Sequence, residues 1–169
     1  MSRPPLRLRD AQPDDQAAIQ AVTLAAYAEY AQPMGALWDL YRANILATLA
    51  DPGAAEQIVA VDEDAIVATV LLYPVGAALS GGGAGRRSPE VRLLAVAPGG
   101  RGRGVGAALM QECARRARAA GATALTLHTT AMMAAALRLY GRLGFVRAPE
   151  LDLQVAPSLT VHGYRLELG

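Results

Sequence analysis

The stretch that decides the fold is "VRLLAVAPGGRGRGVGAALMQECARRARAAG", Val91 to Gly121. An apolar run enters it and an amphipathic helical pattern leaves it, with five glycines and two arginines between them. Glycine is costly in backbone entropy, so a turn this rich in it calls for bare peptide N–H groups. A helix start leaves its first N–H groups outside the hydrogen-bond ladder, and the aligned peptide dipoles favour an anion there. Gly102, Gly104 and Gly106 lie around that start, and Arg101 and Arg103 add charge that can pair with phosphate oxygens. The chemistry suits a pyrophosphate. A tight strand-to-helix turn with solvated arginines explains the same residues. The dinucleotide pattern G-x-G-x-x-G would begin at Gly102 and meet Ala107 where its third glycine belongs, which the looser form of the pattern tolerates. Against it stands the upstream order, because this strand does not open a βαβ series.

Outward from this unit, "EVRLLAV" is the strand before it and "ATALTLHT" the strand after it, which predicts a parallel pair joined by the helix from Val105 to Ala120. "MMAAALRLYGRLG" follows as a helix, and "FVRAPELDLQV" and "VHGYRLELG" as two closing strands. Upstream, "LRLRD" alternates as a short first strand, and "PDDQAAIQAVTLAAYAEYA" is a helix with Asp10 as its cap, ended by Gln32-Pro33 and Gly35. "ALWDLYRANILATLA" is a second helix, and "EQIVAV", "DED" and "AIVATVLLYPV" make a β-hairpin. "GAALSGGGAGRRSP" reads as a flexible loop and not as a phosphate loop, since no helix opens after it. The order β-α-α-β-β-β-α-β-α-β-β predicts an α+β fold: a mixed, mainly antiparallel sheet flanked by helices in three layers, α-β-α.

The chain has 169 residues with no internal repeat or linker, so residues 1–169 are expected to form a single domain. Its 53% apolar and 18% charged content is that of a globular protein. A net charge of +1, without aromatic–basic interleaving, gives no sign of nucleic acid or membrane as partner. Neither a bilayer-spanning run nor a signal-peptide apolar region is visible, and Cys113 is the only cysteine, so a cytoplasmic, reducing setting is expected. Cys113 itself reads as a small core residue of a helix. His128 and His162 lie far apart without companion thiols, so no metal site is expected. Every basic residue is Arg, which removes lysine Schiff-base chemistry and a phosphate-loop lysine.

Two blocks carry a family resemblance. Arg101, Gly104 and Gly106, after "LLAVAP" and opening a helix, resemble the acetyl-CoA motif of the GNAT superfamily of N-acetyltransferases. Downstream, "ALRLYGRLGFVR" is similar to that family's second signature, with Tyr140, Gly144 and Phe145 in place. The resemblance implies a single GNAT-like domain and an acyltransferase moving an acetyl group from acetyl-CoA, as cosubstrate and without a metal, to a primary amine of a small molecule or peptide. It implies that the backbone of Arg101, Gly102, Arg103, Gly104, Val105, Gly106 and Ala107 cradles the CoA pyrophosphate. It further implies that main-chain groups of Leu94, Ala95 and Val96 meet the pantetheine arm, and that Tyr140 protonates the departing thiolate. Glu90 resembles the general base of histone-type members. The packing alternative is a core tyrosine with a buried ring for Tyr140 and an exposed charge at a strand edge for Glu90. His128, ending its strand, is a further base candidate, and water is another.

One departure is Met133, where the family commonly carries asparagine, which removes a polar contact to the pantetheine. A CoA-binding sensor or assembly domain with weak catalysis is the alternative that this favours. On the acceptor side, Tyr27, Tyr30, Trp38 and Tyr41 cluster at helical spacings, and Glu29, Asp39 and Asp152 could attract an ammonium group. The acceptor is not named by these residues. Nor is the oligomeric state, although the resemblance allows a homodimer through the closing strands.

Overall fold

The computed structural model describes residues 5–77 and 87–169. Its elements are β1 (Arg7–Asp10), α1 (Gln16–Tyr27), α2 (Ala31–Met34), α3 (Trp38–Ala50), β2 (Glu56–Asp62), β3 (Ala65–Tyr73), β4 (Glu90–Val96), α4 (Val105–Ala119), β5 (Ala124–Thr129), α5 (Ala134–Arg142), β6 (Val146–Arg147), β7 (Leu153–Ala156) and β8 (Leu159–Glu167). Eight strands form a mostly antiparallel sheet flanked by helices, in the order β1-β2-β3-β4-β5-β8-β6, with β7 also paired to β8. This is the α+β fold that the element order predicts. The parallel neighbours are β4 and β5, with Glu90 opposite Thr126 and Val91 opposite Leu127. Most of the glycine-rich loop read between β3 and β4, residues 78–86, lies outside the described residues.

Contacts divide the chain into two compact units, Met1–Leu71 with Leu93–Met110, and Leu72–Arg92 with Gln111–Gly169. In the first, β1 pairs antiparallel with β2, from Arg7 opposite Val61 to Asp10 opposite Ile58. β2 is buried without a break from Ile58 to Asp62 and β3 from Ala68 onward, the pattern of strands covered on both faces. Ile19, Ile45, Leu49, Ile58 and Val70 are almost wholly removed from water, each contributing roughly 1.5–3 kcal/mol of burial. In the second unit, β5 and β8 pair over six residues, from Ala124 opposite Glu167 to Thr129 opposite His162. Cys113, Leu125 and Leu127 are among its most deeply buried apolar side chains, so the cysteine is a core residue as read.

Three boundaries differ from the sequence reading. Asp10 belongs to β1 and caps no helix; the turn at Pro13–Asp15 comes first, and Asp15 accepts a hydrogen bond from the Gln12 N–H at 2.7 Å. Pro33 does not end the first helical run, because it falls inside the single turn of α2, where a proline needs no hydrogen-bonded N–H. The break comes at Gly35, with φ of 54°. The strand read as "FVRAPELDLQV" is two short strands, β6 and β7, because Pro149 opens a 3₁₀ turn over Pro149–Leu151.

Candidate active site

The glycine loop belongs to the first unit. β4 hands over through Ala97, whose N–H donates to the Val67 carbonyl at 2.8 Å, and a 3₁₀ turn at Pro98–Gly100 redirects the chain. Gly102 and Gly104 have φ of 73° and 74°, the left-handed region that L side chains avoid. A Cβ at either would meet no atom within 4 Å, so backbone angle, not crowding, demands glycine there, and the peptide stands open. In α4 the Ala108 N–H donates to the Gly104 carbonyl at 3.0 Å. The N–H groups of Val105, Gly106 and Ala107 precede that bond and lie outside the helical ladder. An anion can be held there by main-chain donors alone.

The two arginines are engaged elsewhere. Arg103 Nη1 donates to Asp62 Oδ2 at 2.7 Å, and the Asp62 side chain is only 2% exposed. Arg101 Nη2 donates to the Ala26 carbonyl at 3.0 Å and lies 2.9 Å from Glu29 Oε1. Each guanidinium therefore has a carboxylate partner, and the loop's attraction for an anion falls mainly on its N–H groups and the α4 dipole. Glu29, read as a candidate for an ammonium group, is taken by Arg101, and Asp152 by Arg147 at 2.7 Å.

Upstream of the loop, Leu93 takes φ of 51°, uncommon for a branched residue, and interrupts the alternation of β4 before Leu94, Ala95 and Val96. The Leu94 carbonyl accepts from the Tyr27 hydroxyl at 3.1 Å. Tyr27 stacks edge-on against Tyr30, with centroids 5.9 Å apart, and tilts against Tyr41 at 6.0 Å, which meets Trp38 at 6.3 Å. The aromatic cluster read at helical spacing is thus a connected packing unit.

The second unit carries Tyr140, Glu90 and His128. Tyr140 is buried on α5. Its position follows from how the helix ends: Gly144, with φ of 95°, lets the Phe145 N–H turn back to the Tyr140 carbonyl at 3.0 Å. The Phe145 ring then packs 5.8 Å from the Tyr140 ring. The Tyr-x-x-x-Gly-Phe signature is therefore a helix-stop device that fixes the tyrosine. At the other end of α5, Met133 receives a hydrogen bond at sulfur from the Thr129 hydroxyl, 3.3 Å away.

Glu90 begins β4, and the register that sets it opposite Thr126 brings it beside His128, two residues further along β5. Glu90 Oε1 and His128 Nδ1 are 3.6 Å apart, with side chains 7% and 16% exposed. The other ring nitrogen, Nε2, is 2.7 Å from the Leu151 carbonyl, an acceptor only, so Nε2 carries hydrogen and donates. Burial alone would lower the imidazole pKa; the Glu90 carboxylate and the Leu151 carbonyl outweigh burial and the Arg92 charge, and the pKa lies above the ordinary histidine value. Sequence spacing listed Glu90 and His128 separately, and the structure brings them together.

Leu151 is itself held. Arg147 forks onto both Asp152 oxygens at 2.7 and 2.8 Å and donates to the Gly163 carbonyl at 2.9 Å, while the Gly163 N–H donates to Asp152 Oδ1 at 2.9 Å. The guanidinium first, then that N–H, hold the Asp152 carboxyl far below the usual carboxylate range. A Cβ on Gly163 would collide with Leu151 and come 2.8 Å from the Ala148 carbonyl. The sequence reading missed this clamp. Its one available signal was a lone glycine inside the strand pattern "VHGYRLELG", which marks close backbone approach.

Among the described residues no group of three or more His, Cys, Asp and Glu could hold a metal ion, and no helix is long and apolar enough to cross a membrane.

No curated protein sequence matches the chain. Solved structures do. A GNAT-family acetyltransferase from Staphylococcus aureus Mu50 superposes with a TM-score of 0.72 at 14% identity, over 98% of this chain and 100% of that one. A GNAT-family acetyltransferase from Brucella melitensis, in complex with acetyl-CoA, gives 0.64 at 22% identity, over 98% and 89%. The PaiA N-acetyltransferase from Thermoplasma acidophilum, in complex with coenzyme A, gives 0.73 at 11% identity, over 96% and 99%. At these identities the likeness is one of fold. The sequence model of the acetyltransferase (GNAT) family matches residues 18–145. The glycine loop and the tyrosine signature both fall inside that match, and the chain belongs to the acetyltransferase (GNAT) family.

Proposed function

We propose that this protein transfers an acetyl group from acetyl-CoA to a primary amine of a small molecule or peptide, by direct attack of the amine in a ternary complex. The observation that carries the reading is the loop from Arg101 to Ala107. Two glycines in left-handed backbone lead into a helix start whose first N–H groups are outside the ladder, in a chain of the GNAT family. Brucella and Thermoplasma structures of the same fold contain acetyl-CoA and coenzyme A, which supports that ligand.

Acetyl-CoA would supply the activated acyl group. In this proposal the N–H groups of residues 101–107 bind its pyrophosphate, and main-chain groups of Leu94, Ala95 and Val96 align the pantetheine arm. A backbone N–H of that strand faces the oxyanion that develops at the carbonyl. An alkylammonium group titrates near pKa ~10, so a proton acceptor is needed at neutral pH, and Glu90 fills that role. The Tyr140 phenol gives its proton to the leaving thiolate. The buried thiol of Cys113 fits a reducing compartment, and we place the protein in the cytoplasm.

The Thr129–Met133 contact favours a second reading. The hydroxyl is spent on sulfur where the family commonly has an amide, which suits a CoA-binding domain with weak catalysis. An amine panel decides between the two. With acetyl-CoA and varied primary amines, the first reading predicts turnover in wild type and about a hundredfold or more lower kcat in Tyr140→Phe, within the usual size of a general-acid contribution. Saturable acetyl-CoA binding without turnover on any amine would establish the second.

A further inference from the structure

We infer that Glu90 and His128 form one proton-accepting pair, in which His128, locked at its far nitrogen by the Leu151 carbonyl, holds the proton that Glu90 takes from the amine. The inference rests on the acetyltransferase reading for the identity of that amine. The pairing itself rests on geometry alone.

The Leu151 carbonyl accepts at 2.7 Å from Nε2, which fixes the neutral ring as the Nε2–H tautomer and leaves the Nδ1 lone pair directed to Glu90. The 3.6 Å separation is an ion-pair distance, about 0.6 Å beyond a direct hydrogen bond. Both side chains are largely withdrawn from water, where a carboxylate and an imidazolium stabilise each other and separate charges are costly. The tautomer lock is built in: the Arg147–Asp152–Gly163 clamp holds the turn that carries Leu151. An ordinary strand-end histidine does not need a glycine opposite it on β8, nor a turn packed so closely that a methyl group could not be added there.

The charges facing His128 are Glu90, which favours the protonated ring, and Arg92, which opposes it, both from β4. From β8 the residue opposite is Gly163, which has no charge. From the 3₁₀ turn the facing group is the Leu151 carbonyl, and the neighbouring Asp152 is neutralised by Arg147.

The alkylammonium gives one proton to the Glu90 carboxylate, and as the pair closes from 3.6 Å to hydrogen-bond distance in the substrate complex the proton passes to His128 Nδ1 and from there to solvent. The free amine attacks the thioester carbonyl, the C–N bond forms and the C–S bond breaks, and the thiolate takes the Tyr140 proton. The N–H proton lost as the amide forms returns through solvent to the Tyr140 phenolate. His128 acts through Glu90 and is a positioning residue. The pair accepts a proton only when the imidazole is neutral, so kcat/KM rises with pH through the His128 titration.

The test is the pH profile of kcat/KM in wild type, H128Q and E90Q, with acetyl-CoA affinity measured by calorimetry and His128 titrated by NMR without substrate. Expected in wild type are an acid limb centred above the free-histidine value of about 6.5 and an NMR titration at the same pH. In E90Q the His128 titration moves down. In H128Q the acid limb leaves the histidine range, kcat/KM above pH 7 falls at least about tenfold, and acetyl-CoA affinity is unchanged. An H128Q limb that coincides with the wild-type limb overturns the relay. A His128 titration indifferent to E90Q overturns the pairing. Wild type that binds acetyl-CoA but acetylates no amine overturns the acetyltransferase reading and the relay with it, while the NMR arm still decides the pairing.

Discussion

Arg103 offers a sharp test of how the loop works, because its chemistry suggests a phosphate ligand and its contacts suggest a strut. Its guanidinium reaches Asp62 at 2.7 Å, and that carboxylate is only 2% exposed while Arg103 is 36% exposed. Removing one partner of a fully buried pair costs about 3–5 kcal/mol. Water can reach the Arg103 side and would hydrate part of the abandoned carboxylate, so Arg103→Ala is expected to cost roughly 2–3 kcal/mol. For a chain of this length that lowers Tm by about 5–10 °C. Acetyl-CoA affinity measured well below Tm should change less than about tenfold, since the main-chain donors are untouched. Calorimetric unfolding of Arg103→Ala, and of the double variant Asp62→Leu/Arg103→Met, reads the stability, and the double variant should recover most of it. An unshifted Tm with affinity lower by more than a hundredfold would refute the reasoning and make Arg103 a phosphate ligand.

Gly104→Val should weaken acetyl-CoA by about a hundredfold or more, because a β-branched residue resists φ of 74° and re-aims N–H donors worth roughly 1.5–3 kcal/mol each to a charged group. Arg101→Ala should cost less than tenfold, and titration of both variants reverses the claim if the order is reversed. Glu112, held down to about 2 by Arg115 first and then Arg116, has a folded pKa below its ordinary value, so its stabilisation is present above about pH 4.5 and fades as pH falls toward 2. Glu112→Gln should accordingly cost up to about 1 kcal/mol at pH 7 in low salt and nothing at pH 2, as read by urea unfolding. Gly163→Ala should destabilise by at least 1–3 kcal/mol through overpacking against Leu151 and Ala148, and unchanged unfolding would mean that the turn yields freely.

What was legible in the sequence was local. The strand–glycine–helix unit could be read because left-handed backbone selects glycine at 102 and 104 and because apolar periodicity changes on either side of them. The Tyr140 signature was legible through the family resemblance, and its physical basis is local, since Gly144 and Phe145 end α5 by contacts within five residues. Pairings across long sequence distances were not. Arg103 meets Asp62 across 41 residues and Arg101 meets Ala26 across 75, so arginines in a glycine loop look solvated until the tertiary fold supplies their partners. Glu90 and His128 meet only through the β4–β5 register, which no spacing rule prints. The proline misreadings, at Pro33 and Pro149, came from treating proline as a stop or a strand residue, where it served as a first-turn residue in each case.

The most direct test of the central claim is a calorimetric titration of the purified protein with acetyl-CoA, with NADH and ATP as controls. Micromolar, saturable binding of acetyl-CoA with none for NADH or ATP is the predicted result. No binding, or equal binding of all three, would reduce the loop at Gly102–Gly106 to a strand-to-helix turn and contradict the account.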